Sequence, residues 1–327
     1  MKSVLGMGNA LVDILAVAEN EKLLKKYKLP KGSMQHVSEQ KADEVYLDLK
    51  EIGASVVAGG SAANTIAGIS KLGLKTGFLG KVGNDELGNF YETDLKKLKV
   101  RSHLIRGEKG TGRAMVVISP DSERTFAVYL GAAVEMTPAN IDPSIFDNYD
   151  YFHVEGYLLQ DPNLIETAMK TAHDKGKIVS IDLASYNVVE ENVDFLHNLI
   201  KKYANIVFAN AEEAEAFTGE KEPEYALYDI SKLCDIAVVK IGSKGSWVKE
   251  GPRVYRIFAN IIQPVDFTGA GDLFASGFLY GLSRKENLHL CAKMGTICAG
   301  EIIQVVGTKL PDDVWKDIRL RISQLQL

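Results

Sequence analysis

One carboxylate in this chain stands where a glycine-rich turn becomes a helix: Asp272, in VDFTGAGDLFASGFLYGL (265–282). A turn that feeds a helix gathers free backbone N–H groups and the positive end of the helix dipole, so it suits an anion. A negative side chain there has two readings. It caps the first turn, where acids are common, or it stands beside a bound anion to take a proton. Gly269, Ala270 and Gly271 favour the second, because the N–H groups of small residues can cradle a transferring phosphoryl as an anion hole. A neighbouring carboxylate then accepts the proton of a hydroxyl as it attacks phosphorus in line.

Three other stretches carry groups that a ligand would use. VVAGGSAANTIAG (56–68) puts Gly59 and Gly60 at a strand-to-helix junction, with Asn64 one turn into the helix. The pair makes a tight turn, or lets a ligand approach backbone N–H groups. GMGNALVD (6–13) begins as GxG but lacks the third glycine and the helix of a dinucleotide site. Its Asn9 and Asp13 are polar residues at and just after a strand end. NAEEAEAF (210–217) caps a helix with Asn210 and Glu213; the same pair could hold water around Mg²⁺, which keeps most of its waters. His153 and Glu155 form H-x-E with no PCxxC to follow, so zinc is not indicated. There is no GxxxxGK[ST], which excludes a P-loop, and no protein-kinase signature set.

These residues need a scaffold, and the alternation of patterns supplies one. Short apolar runs at 3–8, 76–82, 149–154, 177–183, 205–210 and 235–241 read as buried strands. Between them, 61–73, 85–98, 162–176, 193–203 and 211–219 read as helices, and two shorter strands fall near 244–250 and 253–259. The C-terminal part is helical from Thr268, with breaks near Arg284 and 307–311. Such repetition predicts an α/β fold: a mainly parallel sheet with helices on both faces, binding ligands at the carboxyl ends of its strands. Residues 10–18 with 32–37, and 112–130 with a turn at Pro120-Asp121-Ser122, look like antiparallel pairs. They predict a small β lid, built from about 10–20, 32–37 and 112–130, on one domain spanning 1–327.

Of 327 residues, 46% are hydrophobic and 25% charged, with a net charge of −5. That balance argues against nucleic acid or a membrane surface as partner. Three cysteines without metal-ligand spacing, and an N-terminus without a signal-peptide pattern, point to the cytoplasm.

DFTGAGDLFASGF (266–278) closely resembles the C-terminal signature of the ribokinase-like (PfkB) family of sugar and nucleoside kinases. AGGSAANTIAGISKLG (58–73) with GKVGNDELG (80–88) resembles its N-terminal signature, in the matching order and separation. The resemblance implies a Rossmann-like core with a β lid, ATP as donor, Mg²⁺ and often a monovalent cation such as K⁺. It implies Asp272 as catalytic base, Gly269, Ala270 and Gly271 as anion hole, and Asn9, Asp13, Gly59, Gly60 and Asn64 as holders of the acceptor. Asn210 and Glu213 match an N-x-x-E that acts through magnesium and its waters, with Thr268 on the same ATP side. Arg124 resembles a lid arginine that approaches the phosphates. Phe267, where many members have Thr, departs from the pattern beside a cation site near Asp266. The N-x-x-x-D spacing of Asn9 and Asp13 resembles the adenosine kinase branch. A nucleoside acceptor is therefore expected, with a free sugar as the alternative and a non-catalytic sensor as the reading from another class. A lid sheet of this kind closes over a monomer or pairs two copies.

Overall fold

The computed structural model describes residues 2–121 and 123–325; Ser122 of the expected hairpin turn lies outside them. The strands, in chain order, are β1 (Ser3–Met7), β2 (Leu11–Val17), β3 (Met34–His36), β4 (Ser55–Gly59), β5 (Lys75–Gly83), β6 (Val100–Gly107) and β7 (Gly112–Ile118). They continue as β8 (Arg124–Tyr129), β9 (Tyr151–Glu155), β10 (Ile178–Asp182), β11 (Ile206–Asn210), β12 (Ile236–Lys240), β13 (Ser246–Glu250) and β14 (Arg253–Ile257). Nine form a large sheet in the order β14-β13-β12-β11-β10-β9-β1-β5-β6. Its strands pair in parallel from β12 through to β6, and β13 and β14 close one edge as an antiparallel hairpin.

Period-two side-chain alternation explains why helices cover both faces. Val4, Phe78, Phe208 and Val238 point into one apolar cluster with Ile66, Phe274 and Phe278. Their neighbours Leu5, Leu79, Val207 and Val239 point into another, with Leu164, Met169 and Leu196. Continuous apolar runs are what a sheet buried on both faces requires. Helices Ser61–Lys71, Ala270–Ser283 and Leu288–Ile302 take the first face; Pro162–Asp174 and Tyr186–Tyr203 take the second. Asp161, Ser185 and Asn287 cap three of these helices with side-chain oxygens.

The remaining five strands form a small sheet, β3-β8-β7-β2-β4. β7 and β8 are the antiparallel pair expected from 112–130. Residues 10–18 and 32–37 do not pair with each other. β2 lies between β7, in parallel, and β4, antiparallel, while β3 pairs in parallel with β8. Register is set by partners distant in sequence and by the buried face, and the local alternation contains neither. The strand of the Gly-Gly segment, β4, belongs to this small sheet, and the helix after it packs on the large one.

Candidate functional site

Between the two sheets lies a cleft of about 2010 Å³. Asn9, Asp13, Gly60 and Asn64 line it on one side, and Asn210, Glu213 and the Thr268–Asp272 turn line it on the other. Helix Ala270–Ser283 begins at Gly269, which adopts φ +77°. Ala270 N–H closes the turn onto Phe267 O (3.2 Å) and Leu273 N–H bonds Gly269 O (2.8 Å). Among the described residues, the N–H groups of Gly269, Gly271 and Asp272 have no carbonyl partner, so they are the donors left for an anion. Ala270 serves the turn itself.

The Asp272 carboxylate is held from the facing helix. Ser61 Oγ donates to Oδ1 at 2.6 Å, and Asn64 Nδ2 donates to Oδ2 at 3.1 Å. Burial pushes its pKa up to about 6, against the pull of those two hydrogen bonds. Asn64 Oδ1 is buried with no partner among the described residues, an acceptor that a ligand hydroxyl would satisfy.

Gly60 sits at φ +96°, and a Cβ there would lie 2.2 Å from Asn9 O. A Cβ on Gly59 would lie 2.1 Å from Asp13 Oδ2. These two glycines let β4 cross the Asn9–Asp13 segment closely. Asp13 is pushed up to about 7 by burial, which outweighs the opposing charge of Lys309. Asn9 is fixed twice: its N–H donates to Glu155 Oε1 (2.9 Å) and its Oδ1 accepts from Gln160 (3.0 Å).

Asn210 and Glu213 form the reciprocal capping box. Asn210 Oδ1 accepts from Glu213 N–H at 2.8 Å, and Glu213 accepts from both the backbone and the side chain of Asn210. Burial and the Asp182 charge push Glu213 up to about 7. Hard oxygen donors of this kind suit Mg²⁺ held through water, since both Glu213 oxygens already face Asn210 donors. A monovalent cation at Asp266 does not fit. Both carboxylate oxygens are engaged, by Thr268 N–H (2.8 Å), Gly307 N–H (2.6 Å) and the Arg124 guanidinium (2.6 Å). Arg124 and Asp266 therefore meet beside the turn, and Phe267 is 70% exposed at the cleft mouth.

Four contributors went unassigned in the sequence: Ser61, Glu155, Asp182 and Lys240. Glu155, read there as a failed zinc motif, accepts from Asn9 N–H and Ala62 N–H (2.7 Å) and is pushed up to about 7 by burial. Lys240 and Asp182 form a buried ion pair of 2.7 Å, and the Lys240 ammonium lies 3.1 Å from where a Gly271 Cβ would be. A signal for three of them existed. Adjacent strands β9, β10, β11 and β12 end on Glu155, Asp182, Asn210 and Lys240, one polar residue each at the carboxyl edge.

Residues 33–315 match the family described as pfkB family carbohydrate kinase. An uncharacterized sugar kinase of Archaeoglobus fulgidus is 28% identical over 74% of this chain and 96% of its own length. A 5-dehydro-2-deoxygluconokinase of Halalkalibacterium halodurans is 27% identical over 76% of this chain and 80% of its own. Among solved structures, adenosine kinase from Sinorhizobium meliloti superposes with a TM-score of 0.86 at 32% identity, covering 98% of this chain and 99% of that one. With most of its length inside one family, the chain belongs to the pfkB family of carbohydrate kinases, phosphotransferases that use ATP and an alcohol acceptor.

Proposed function

We propose that this protein transfers the γ-phosphoryl of ATP to a primary hydroxyl of a neutral, ribose-bearing acceptor, a nucleoside of the adenosine type. The observation that carries the chemistry is the Asp272 carboxylate, held by Ser61 and Asn64 beside the open N–H groups of Gly271 and Asp272. Asp272 takes the hydroxyl proton as the acceptor oxygen closes on phosphorus. The turn N–H groups receive charge developing on the transferring group. Asn210 and Glu213 are the residues that would hold Mg²⁺ and its waters. When bound, the ion offsets phosphate charge. Asn9, Asp13 and Asn64 hold the acceptor's hydroxyls, and the small sheet serves as the lid that keeps water out.

Charge and polarity support a nucleoside. The small sheet faces the cleft with Leu11, Met34, Phe126 and Val128, an apolar wall suited to a flat base. Asp13 and Glu155 stand in that half, and among the described lining residues it has no lysine or arginine. Lys309, the cation that acts on Asp13, is also paired with Asp94 at 3.8 Å. A sugar acid would meet two carboxyls, with the nearby Lys309 already shared between Asp13 and Asp94, which disfavours the gluconate-type acceptors named for the curated relatives.

The test is ADP release with Mg·ATP against adenosine, other nucleosides, ribose, fructose and 2-keto-3-deoxygluconate. Adenosine is expected to give the highest kcat/KM. Asp272→Asn should lower kcat by roughly 10²–10⁴-fold with acceptor binding retained. A near-wild-type rate in that variant sinks the base assignment. Preference for a sugar acid sinks the acceptor assignment, and no ADP with any acceptor leaves a binding protein without catalysis.

A further inference from the structure

The small sheet meets the phosphoryl side of the cleft through a buried charge. Arg124, the first residue of β8, places Nη1 2.6 Å from Asp266 Oδ1 and donates to Thr268 Oγ1 at 2.7 Å. The arginine side chain is 16% exposed and the aspartate 2%. Asp266 in turn accepts from Thr268 N–H and Gly307 N–H, so a single carboxylate ties together the start of the anion-binding turn and the 307 backbone. Leu15, on the cleft-facing side of the same sheet, lies 3.5 Å from where a Cβ on Gly307 would be. Thr268 is therefore held twice: its N–H by Asp266, its hydroxyl by Arg124.

A carboxylate this deeply buried needs a positive partner. An alkali cation would meet that need with oxygen ligands, but it would compete with Arg124 for the same Oδ1. The guanidinium is permanently charged, and one of its nitrogens, Nη1, meets both the carboxylate and the hydroxyl. We infer that Arg124 is a positioning residue that stands in for a monovalent cation at Asp266, so that the small sheet itself delivers the charge ordering the anion-binding turn. The inference rests on the phosphoryl-transfer reading above. It assigns Arg124 to the turn and not to substrate, and it makes the turn complete only when the small sheet lies against the core.

The experiment compares ADP formation at constant ionic strength in KCl, NaCl and tetramethylammonium chloride. Wild-type rates are expected to agree within about twofold, since general screening is then equal. Arg124→Met is expected to lose about tenfold or more in tetramethylammonium chloride, and K⁺ should restore part of that loss. Arg124→Lys keeps a charge and should remain indifferent to the salt. Melting curves establish that the variants are folded. Strong stimulation of the wild type by K⁺ overturns the inference whether or not any variant folds. So does an Arg124→Met enzyme at full rate without K⁺, or one whose loss K⁺ leaves untouched, which would assign Arg124 to sheet closure alone. No ADP in any salt overturns the phosphoryl-transfer reading and this inference with it.

Discussion

As the proposed base, Asp272 would owe its usefulness to a conflict around it. Burial raises its affinity for a proton, while Ser61 and Asn64 stabilise the ionised form, and the balance near pH 6 leaves a carboxylate that is ionised at neutral pH yet more basic than a free one. Asp13 is held in place by sterics. It fills the space where a side chain on Gly59 would go, so Gly59→Ala should push the carboxylate aside. The expected outcome is a rise of about tenfold or more in the acceptor KM, with kcat and the KM for ATP changed much less. Steady-state kinetics with each substrate varied separately checks this; an unchanged acceptor KM would remove Asp13 from the acceptor site.

At the level of elements, the carboxyl ends of β9 to β12 act as a row, and charge on one strand tip is felt on the next. Lys240, at the end of β12, helps hold the Asp272 pKa down while Asp182 helps raise it. Lys240→Met should therefore leave Asp182 uncompensated and move the acid limb of the kcat–pH profile up from near 6 by about one unit, with part of the rate recovered at alkaline pH. A limb that stays put would show that the ion pair does not act on the base. This row also marks where reading the sequence stopped. The turn before Asp272, the Gly-Gly junction and Asn64 were legible because each is a local pattern whose residue types have a stereochemical reason. Asp182 and Lys240 meet only because β10 and β12, with β11 between them, end level, which no local pattern encodes. Six of the seven parallel strands were legible from their apolar runs, to within a residue or two; the edge strand β6 was not, because VRSHLIRG mixes charged and apolar residues and is buried only at Val100. Helix Glu39–Glu51 was not, because Ala42, Val45 and Leu49 are its only buried positions among charged neighbours. The pairings of β2 and β3 were misread for the reason given above: the partners lie far away in the chain.

Across the whole molecule, the site is held at a cost to stability that pH exposes. Asp13, Glu155 and Glu213 are pushed up to about 7 and Asp272 to about 6, from ordinary values of 3.8 and 4.5. Each binds its proton more tightly in the folded chain than in the unfolded one. Folding therefore takes up protons between those values, and the stability they contribute is full below the unfolded pKa and lost as pH rises through 6 to 7. His153 opposes them: burial lowers it to about 4, so acidification through 6.5 favours the unfolded chain. His103, also lowered by burial, acts in the same direction as His153, and four raised carboxyls against these two imidazoles should make the protein more stable near pH 5 than at pH 8. Asp13→Asn should raise the melting temperature at pH 8 by about 1–3 °C and flatten that slope, while weakening acceptor binding. Stability that climbs steadily from pH 5 to 8 would contradict the account. The order of the cleft residues along the chain carries a last consequence, one for heredity. On the proposed reading, residues facing the acceptor come from 9–64 and 114–160, and those facing the phosphoryl group from 182–308, with Ser61 and Asn64 joining the two by gripping Asp272. On that reading, mutations that change which alcohol is taken and mutations that damage the transfer step thus fall mainly in separate stretches of the gene, with Ser61, Asn64 and Arg124 the exceptions. A lineage can try new acceptors in the first while the second is inherited intact.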